Sequence, residues 1–269
     1  MKLALSSRWF APGTSLETAA RRTREFGLEH LVLHVPGAVA PGSREAARSV
    51  GVSVCAVVND GNLDAAVALA STQRSPFVVV EGGTFEDERV DRALRQEESA
   101  LCNAVLRGDA PDATALLQRR AATVEEVAVR AARALHAALR GTPLALRNAG
   151  TAADLLLEPT TLEWLLSDLP RLGFFFDPAR ALRAHRLGLG PQPAAWADRF
   201  GSRTGGVFVH GLGSDLAGHS HPEDGAPEWR LLAEELPRGI PWILDLAPSL
   251  APGDVEDAIR YVESAVGGG

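Results

Sequence analysis

Eight short, continuously apolar runs recur along this chain, and a stretch with helical periodicity follows each. The runs are Leu3–Ser7, His30–Val35, Val52–Asn59, Phe77–Glu81, Pro143–Arg147, Leu172–Asp177, Gly206–His210 and Trp242–Leu246. Runs without polar alternation predict parallel strands buried on both faces. The intervening helices carry boundary signals. Thr14-Ser-Leu-Glu17 predicts a capping box for a helix ending at Phe26, with Gly27 as its C′ residue. Thr123-Val-Glu-Glu126 predicts a second capping box, for a helix reaching about Arg140 before Gly141, and Ser43 and Gly51 bracket a shorter helix. Eight such units in 269 residues predict an α/β fold, a (β/α)8 barrel forming one domain over residues 1–269. A doubly wound open sheet is the alternative. It would carry a glycine-rich turn after the first strand, and Ser6-Ser7-Arg8-Trp9 is not one. The interval from Glu81 to Pro143 is the longest. There Val90, Leu94, Leu101 and Val105 recur at helical spacing within Glu86–Arg107, and Asp112–Arg120 reads as another short helix. A helical insertion after strand four, over about residues 84–122, is therefore expected.

Composition removes several chemistries. The 27 basic residues are 26 arginines and one lysine, Lys2, which precedes the first apolar run. Schiff-base aldolases, pyridoxal-phosphate enzymes and Walker-type phosphate loops all need a positioned lysine, so none fits. A net charge of −7 predicts no nucleic-acid partner, because such binders usually present a basic surface. Cys55 and Cys102 lie far apart without a CxxC spacing and are expected to be reduced thiols. No window approaches 18 uninterrupted apolar residues, and the start MKLALSSRWF has only a short apolar run. The expectations are no membrane partner, no signal peptide and a cytoplasmic location.

In such a barrel the chemistry gathers at the C-terminal ends of the strands. The apolar runs end there in Ser6-Ser7, His34, Asn59-Asp60, Glu81, Arg147-Asn148, Asp177 and His210, and the last contains Asp245. Repeated termination in ionisable residues predicts a polar ring around one pocket. Trp9 follows the first strand and is a candidate to stack on a sugar face. His30, His136 and His185 lie at a strand start or in helical patterns and are expected to be structural.

The pattern resembles the xylose-isomerase-like TIM barrels, the superfamily of sugar and sugar-phosphate isomerases and epimerases that also contains endonuclease IV. The resemblance spans nearly the whole chain. Phe174-Phe-Phe-Asp177-Pro-Ala-Arg180 is similar to the family's strand-six D-x-x-H segment, and Val207-Phe-Val-His210 to its strand-seven histidine. His219-Ser-His221-Pro-Glu-Asp-Gly225 looks like the loop after strand seven, and Trp242-Ile-Leu-Asp245 like the final strand. The resemblance implies a divalent ion held by side chains that map to positions 147, 177, 210 and 245. Asp177 and His210 match, and Asp245 keeps the charge with a shorter reach. Arg147 stands where a glutamate is implied and has no lone pair to offer a metal. Arg180 stands where the family has a histidine.

Three carboxylates and a neutral histidine would carry about −3 and need a dication when buried. Replacing one carboxylate by a guanidinium changes the local charge by the two units the ion would have supplied. The expectation is that Arg147 takes over that electrostatic role by bridging Asp177, Asp245 or Glu81, with no cofactor. Two alternatives stay open. Arg147 swings outwards and Glu81, Asp177, His210 and Asp245 hold Mn, Mg or Zn; or Arg147 and Arg180 together face an anion. The expected partner is a small carbohydrate-like molecule. Candidate acid/base residues are Glu81, Asp177 and Asp245, and candidate ligand-binding residues are Trp9, His34, Arg147, Arg180, His210, His219 and His221. The resemblance implies isomerase or epimerase activity by proton abstraction beside a carbonyl. A non-catalytic ligand-binding relative is the alternative, and a metal-dependent nuclease of the endonuclease IV kind is a third reading that the missing ligands disfavour.

Overall fold

A computed structural model of the chain describes residues 1–81, 83, 85, 87–139 and 143–267. Eight strands close a parallel barrel: β1 (Lys2–Ser6), β2 (His30–Val35), β3 (Ser53–Asn59), β4 (Val78–Glu81), β5 (Leu144–Arg147), β6 (Gly173–Phe176), β7 (Thr204–Val209) and β8 (Pro241–Leu244). Closure comes from β1, which pairs with β8 through Leu3 and Trp242 and with β2 through Ala4 and His30. The (β/α)8 expectation holds, and each strand lies within two residues of its expected bounds. Around the barrel run α1 (Leu16–Glu25), α2 (Arg44–Arg48), α3 (Leu63–Gln73), α4 (Glu88–Leu106), α5 (Thr114–Ala121), α6 (Val124–Ala138), α7 (Pro159–Asp168), α8 (Pro178–Arg186), α9 (Pro193–Phe200), α10 (Trp229–Glu235) and α11 (Pro252–Val266).

The continuous apolar runs are explained by two buried layers. Ala4, Val32, Ala56, Val58, Val79, Ala145, Phe175, Phe208 and Ile243 fill the barrel interior. Their neighbours of opposite parity, among them Leu5, Leu31, Leu33, Val78, Leu144, Phe174 and Val209, pack against the helices. The interior is a packed core rather than a pore. Gly206 shows how tight it is, since a Cβ there would collide with the Phe175 ring.

Parity also sets the mouth. Ser6, His34, Asp60, Glu81, Arg147, Asp177, His210 and Asp245 each stand two residues after an inward apolar residue, so each takes up the next inward position. Asn59 has the opposite parity, and its side chain accepts the Gly61 amide instead.

Some local expectations change. The N-cap of α1 is Ser15, which accepts the Thr18 amide, while Thr14 and Ser15 pair with Val39 and Ala40 in a small parallel ribbon. The helix starts at Leu16, so the cap falls one residue after Thr14. Thr123 caps α6 by position but makes no side-chain cap bond, and neither does Ser43 at α2. The expected end of α6 at Arg140 and Gly141, like Thr84 and Glu86 in the insertion, falls outside the described residues.

The helical insertion after strand four is present as α4 and α5. It is tied to the segment following β5 by two buried charges. Arg120 forks onto Glu158 at 2.9 and 2.8 Å and also donates to the carbonyls of Ala152 and Asp154. Glu98 accepts the Ala152 amide at 2.7 Å and pairs with Arg183 of α8. These contacts fix the backbone just beyond Arg147 and Asn148. Both cysteines are free, and burial pushes the Cys55 thiol up to about 12. Among the described residues no helix is long and apolar enough to cross a membrane.

Candidate functional site: an arginine bridge at the barrel mouth

Arg147, at the end of β5, reaches across the barrel. Its guanidinium lies over the Phe208 ring of β7, 3.6 Å from the centroid, so the upper interior layer of the core forms its platform. The Nε and Nη2 atoms donate to Asp177 Oδ2 at 3.0 and 2.5 Å, and Nη2 also reaches Asp245 Oδ2 at 3.0 Å. All three side chains are fully buried. Asp177 is positioned by the backbone as well as by charge. Asn148 brackets it, accepting its amide at 2.7 Å and donating to its carbonyl at 2.9 Å. Its Oδ1 caps α8 through the Arg180 amide at 3.0 Å, where Pro178 opens the helix.

A second tier surrounds the bridge. Arg180 joins Glu81 Oε1 at 2.7 Å to Asp177 Oδ2 at 3.3 Å. Arg8, on the turn after β1, donates to Asp245 Oδ1 at 3.2 Å and lies 3.9 Å from Asp60. His34 stands between two carboxylates, with Nδ1 2.7 Å from Asp60 and Nε2 3.5 Å from Asp245. His210 donates from Nε2 to Asp177 Oδ2 at 3.2 Å while its Nδ1 accepts the His219 amide at 3.0 Å. His219 stacks at 4.6 Å on His210, and its Nδ1 meets the Asp245 carbonyl at 2.8 Å.

The electrostatics follow from this crowding. Burial alone would raise Asp177, but His210 and Arg147 outweigh it and hold the carboxyl far below the usual range. Asp245 is likewise held well below normal, burial being overcome by His34 and Arg147. For Arg147, burial opposes the charge, but Asp177 and Asp245 raise its pKa further still. The histidines split. Burial works against a charged His34, yet its bonds to Asp245 and Asp60 raise it above 6.5, whereas burial pushes His219 down to about 4 despite Asp245.

The signs give a pH prediction. A raised His34 contributes stability that is complete below its unfolded value of 6.5 and is lost as pH rises through its folded value. His219 acts oppositely, because between about 4 and 6.5 only the unfolded chain takes its proton, so its contribution falls as pH drops through that window. Histidine ring NMR is expected to show His219 titrating near 4 while His34 is still protonated at pH 6.5; titration of both rings together near 6.5 would contradict the arrangement.

Of the expected site residues, the structure brings together His34, Glu81, Arg147, Asp177, Arg180, His210, His219 and Asp245. Two lie elsewhere. Trp9 packs edge-on against Phe10 and Phe26 and donates to the Leu250 carbonyl at 2.9 Å, so its ring serves the outer core. His221 lies beside Tyr261, with ring centroids 6.0 Å apart. Arg8 and Asp60 complete the ring. Asp60 follows from strand-end parity, whereas Arg8 sits on a 3-10 turn beyond the strand, where periodicity carries no information. Among the described residues, His210, His219 and Asp245 also form a group whose potential metal-ligand atoms lie within 4.8 Å of one another.

No family model matches the sequence, and no curated protein does. Solved structures do match. The chain aligns with the IolI protein, solved with a zinc atom bound, at a TM-score of 0.64 and 11% identity, over 99% of this chain and 98% of that one. A xylose isomerase domain containing protein of Salmonella typhimurium gives 0.62 at 13% identity, covering 98% and 97%. Endonuclease IV of Thermus thermophilus gives 0.57 at 17% identity, covering 100% and 99%. The chain therefore has the xylose-isomerase-like TIM-barrel fold.

Proposed function

We propose that this protein binds a small, uncharged polyhydroxy or carbonyl compound at the barrel mouth without a divalent ion. The observation that carries the reading is the position of Arg147 between Asp177 and Asp245. An ion on Asp245 or Asp177 would lie within about 4 to 5 Å of this guanidinium. At about 4 Å and an effective dielectric near 20, a dication and a guanidinium repel by roughly 8 kcal/mol. The ligand atoms left over offer little against that. Asp177 Oδ2 already takes Arg147, Arg180 and His210, and Asp245 already takes Arg8 and Arg147. The group of His210, His219 and Asp245 faces the same obstacle, since His210 Nδ1 is engaged by the His219 amide. These residues do not fit a divalent metal.

The same geometry weakens a catalytic reading. Asp177 and Asp245, held far below the usual carboxylate range, are poor bases. The charge inventory bears on the ligand. Arg8, Arg147 and Arg180 face Asp60, Glu81, Asp177 and Asp245, so the arginines and carboxylates of the mouth sum to about one unit negative, which a protonated His34 would offset. A phosphate dianion gains little there, which favours a neutral molecule over a sugar phosphate. An isomerase reading keeps one supporting observation: the Glu81 carboxylate is the most exposed of the four, at 39% of its side chain, and could act as base.

A panel of aldoses, ketoses, inositols and their phosphates, screened by thermal shift in EDTA, tests the proposal. A neutral member is expected to raise Tm without metal. Stabilisation that appears only on adding Mn2+ or Zn2+ would contradict it. Incubation of the binding member in D2O separates the two readings, because an isomerase would incorporate deuterium beside the carbonyl and a binding protein would not.

A further inference from the structure

Between α3 and α6, outside the barrel interior, lies a cavity of about 270 Å3. One wall is a single face of α6, where Val127, Ala131 and Ala134 recur at i, i+4 and i+7 and Leu135 adjoins them. Leu63, the first residue of α3, contributes a second wall, and Val80 of β4 joins the cavity to the outer core. The two alanines extend only a methyl group each into this space, so it stays unfilled. An apolar cavity of about 150 Å3 already holds a benzene ring. The larger slot therefore has room for a six-membered ring with a short substituent.

One end of the slot is polar. Asn59 and Glu81, at the ends of β3 and β4, line it there. The Asn59 side-chain oxygen accepts the Gly61 amide. The Glu81 carboxylate has one ion-pair partner among the described residues, Arg180, 2.7 Å from Oε1. A carboxylate offers about four lone-pair sites, so acceptor capacity remains. Arg180 already neutralises its charge, so a second cation would gain little there. A neutral donor meets no such opposition, and the aliphatic walls match an apolar body.

We propose that this slot binds a small neutral ring alcohol, its ring against α6 and its hydroxyl donating to Glu81. The site is separate from the mouth, and the proposal stands whatever the mouth binds. Glu81 belongs to both places, so the occupant's hydroxyl shares a carboxylate with Arg180.

Benzyl alcohol is the probe, with methanol as its counterpart lacking the ring and benzyl methyl ether as its counterpart lacking the donor. Titration of the full chain, followed by 13C-methyl NMR, is expected to shift the methyl resonances of Leu63, Val80, Ala131 and Ala134. Burying even two methylene equivalents is worth about a factor of ten, so benzyl alcohol is expected to bind at least about 10-fold more tightly than methanol. A hydrogen bond to a carboxylate predicts at least about 5-fold tighter binding than the ether. Ala131→Leu keeps a good helix former and fills the slot. It is expected to weaken benzyl alcohol at least about 10-fold while leaving the His210 ring resonances in place. Should that variant fold poorly, the wild-type methyl shifts still decide. Shifts scattered over other methyl groups, equal affinities for benzyl alcohol and methanol, or unchanged binding by a folded Ala131→Leu would overturn the site. Equal affinities for benzyl alcohol and the ether would overturn the ring-alcohol assignment. Each of these failures leaves the proposed function of the mouth standing, since the sugar panel tests that separately.

Discussion

Replacing Arg147 with leucine is expected to destabilise the fold by about 3–5 kcal/mol, the cost of leaving a buried ion pair without one partner. The guanidinium is the only cation placed between Asp177 and Asp245 among the described residues, and both carboxylates are fully buried. The guanidinium itself covers Phe208 and a leucine is too short to replace it there, so the loss combines unpaired charge with lost volume, and the pH dependence separates the two. The penalty carries a pH signature. In the native protein both carboxyls sit far below their unfolded values, so their contribution is present above about 4 and is lost as pH falls through the folded values. Without Arg147 both rise from these low values, although His210 and Arg180 still face Asp177 and His34 and Arg8 still face Asp245, and protonation relieves part of the strain. Urea unfolding at pH 5 and pH 8 is expected to show a larger deficit at pH 8. A deficit below about 1 kcal/mol at both values would mean the bridge is not what holds this layer together.

The reverse substitution has the second large effect. Arg147→Glu changes the local charge by two units and places three carboxylates and His210 around one point. The variant is expected to be less stable than the wild type in EDTA, since the acids repel and are desolvated. Divalent ions should then rescue it. At 100 times Kd, Mn2+ or Zn2+ would add about 2.7 kcal/mol, read as a rise in Tm that the wild type does not show. A variant that folds but gains no metal-dependent stability would show that Arg8 and Arg180 also block the position. Combining the change with Arg180→His would test that directly.

Much of this site is legible in the sequence because a parallel barrel turns strand parity into geometry. Once Phe175 and Phe208 are inward, Asp177 and His210 must be too. Charge makes the bridge from Arg147 to Asp177 and Asp245 the expected reading of the sequence, since buried acids need a cation, but a divalent ion with Arg147 turned outwards meets the same need, and only the structure decides between them. What parity does not reach is less legible. Arg8 lies on an irregular turn, and its reach to Asp245 depends on the tertiary path after β1. Trp9 follows the same strand and is a sequence candidate for sugar stacking, but the turn aims it at Phe10 and Phe26. In the sequence Arg120 is only the last residue of an expected short helix. It is fully buried because the insertion folds back over the segment after β5, a long-range contact that periodicity cannot indicate.

The most direct test of a metal-free bridge is the metal content of the wild-type protein after incubation with excess Mn2+ or Zn2+ and gel filtration. Far less than one ion per chain is expected, with no perturbation of the His210 ring resonances. One tightly held ion per chain at Asp177, His210 and Asp245, with Arg147 displaced from the bridge, would contradict it.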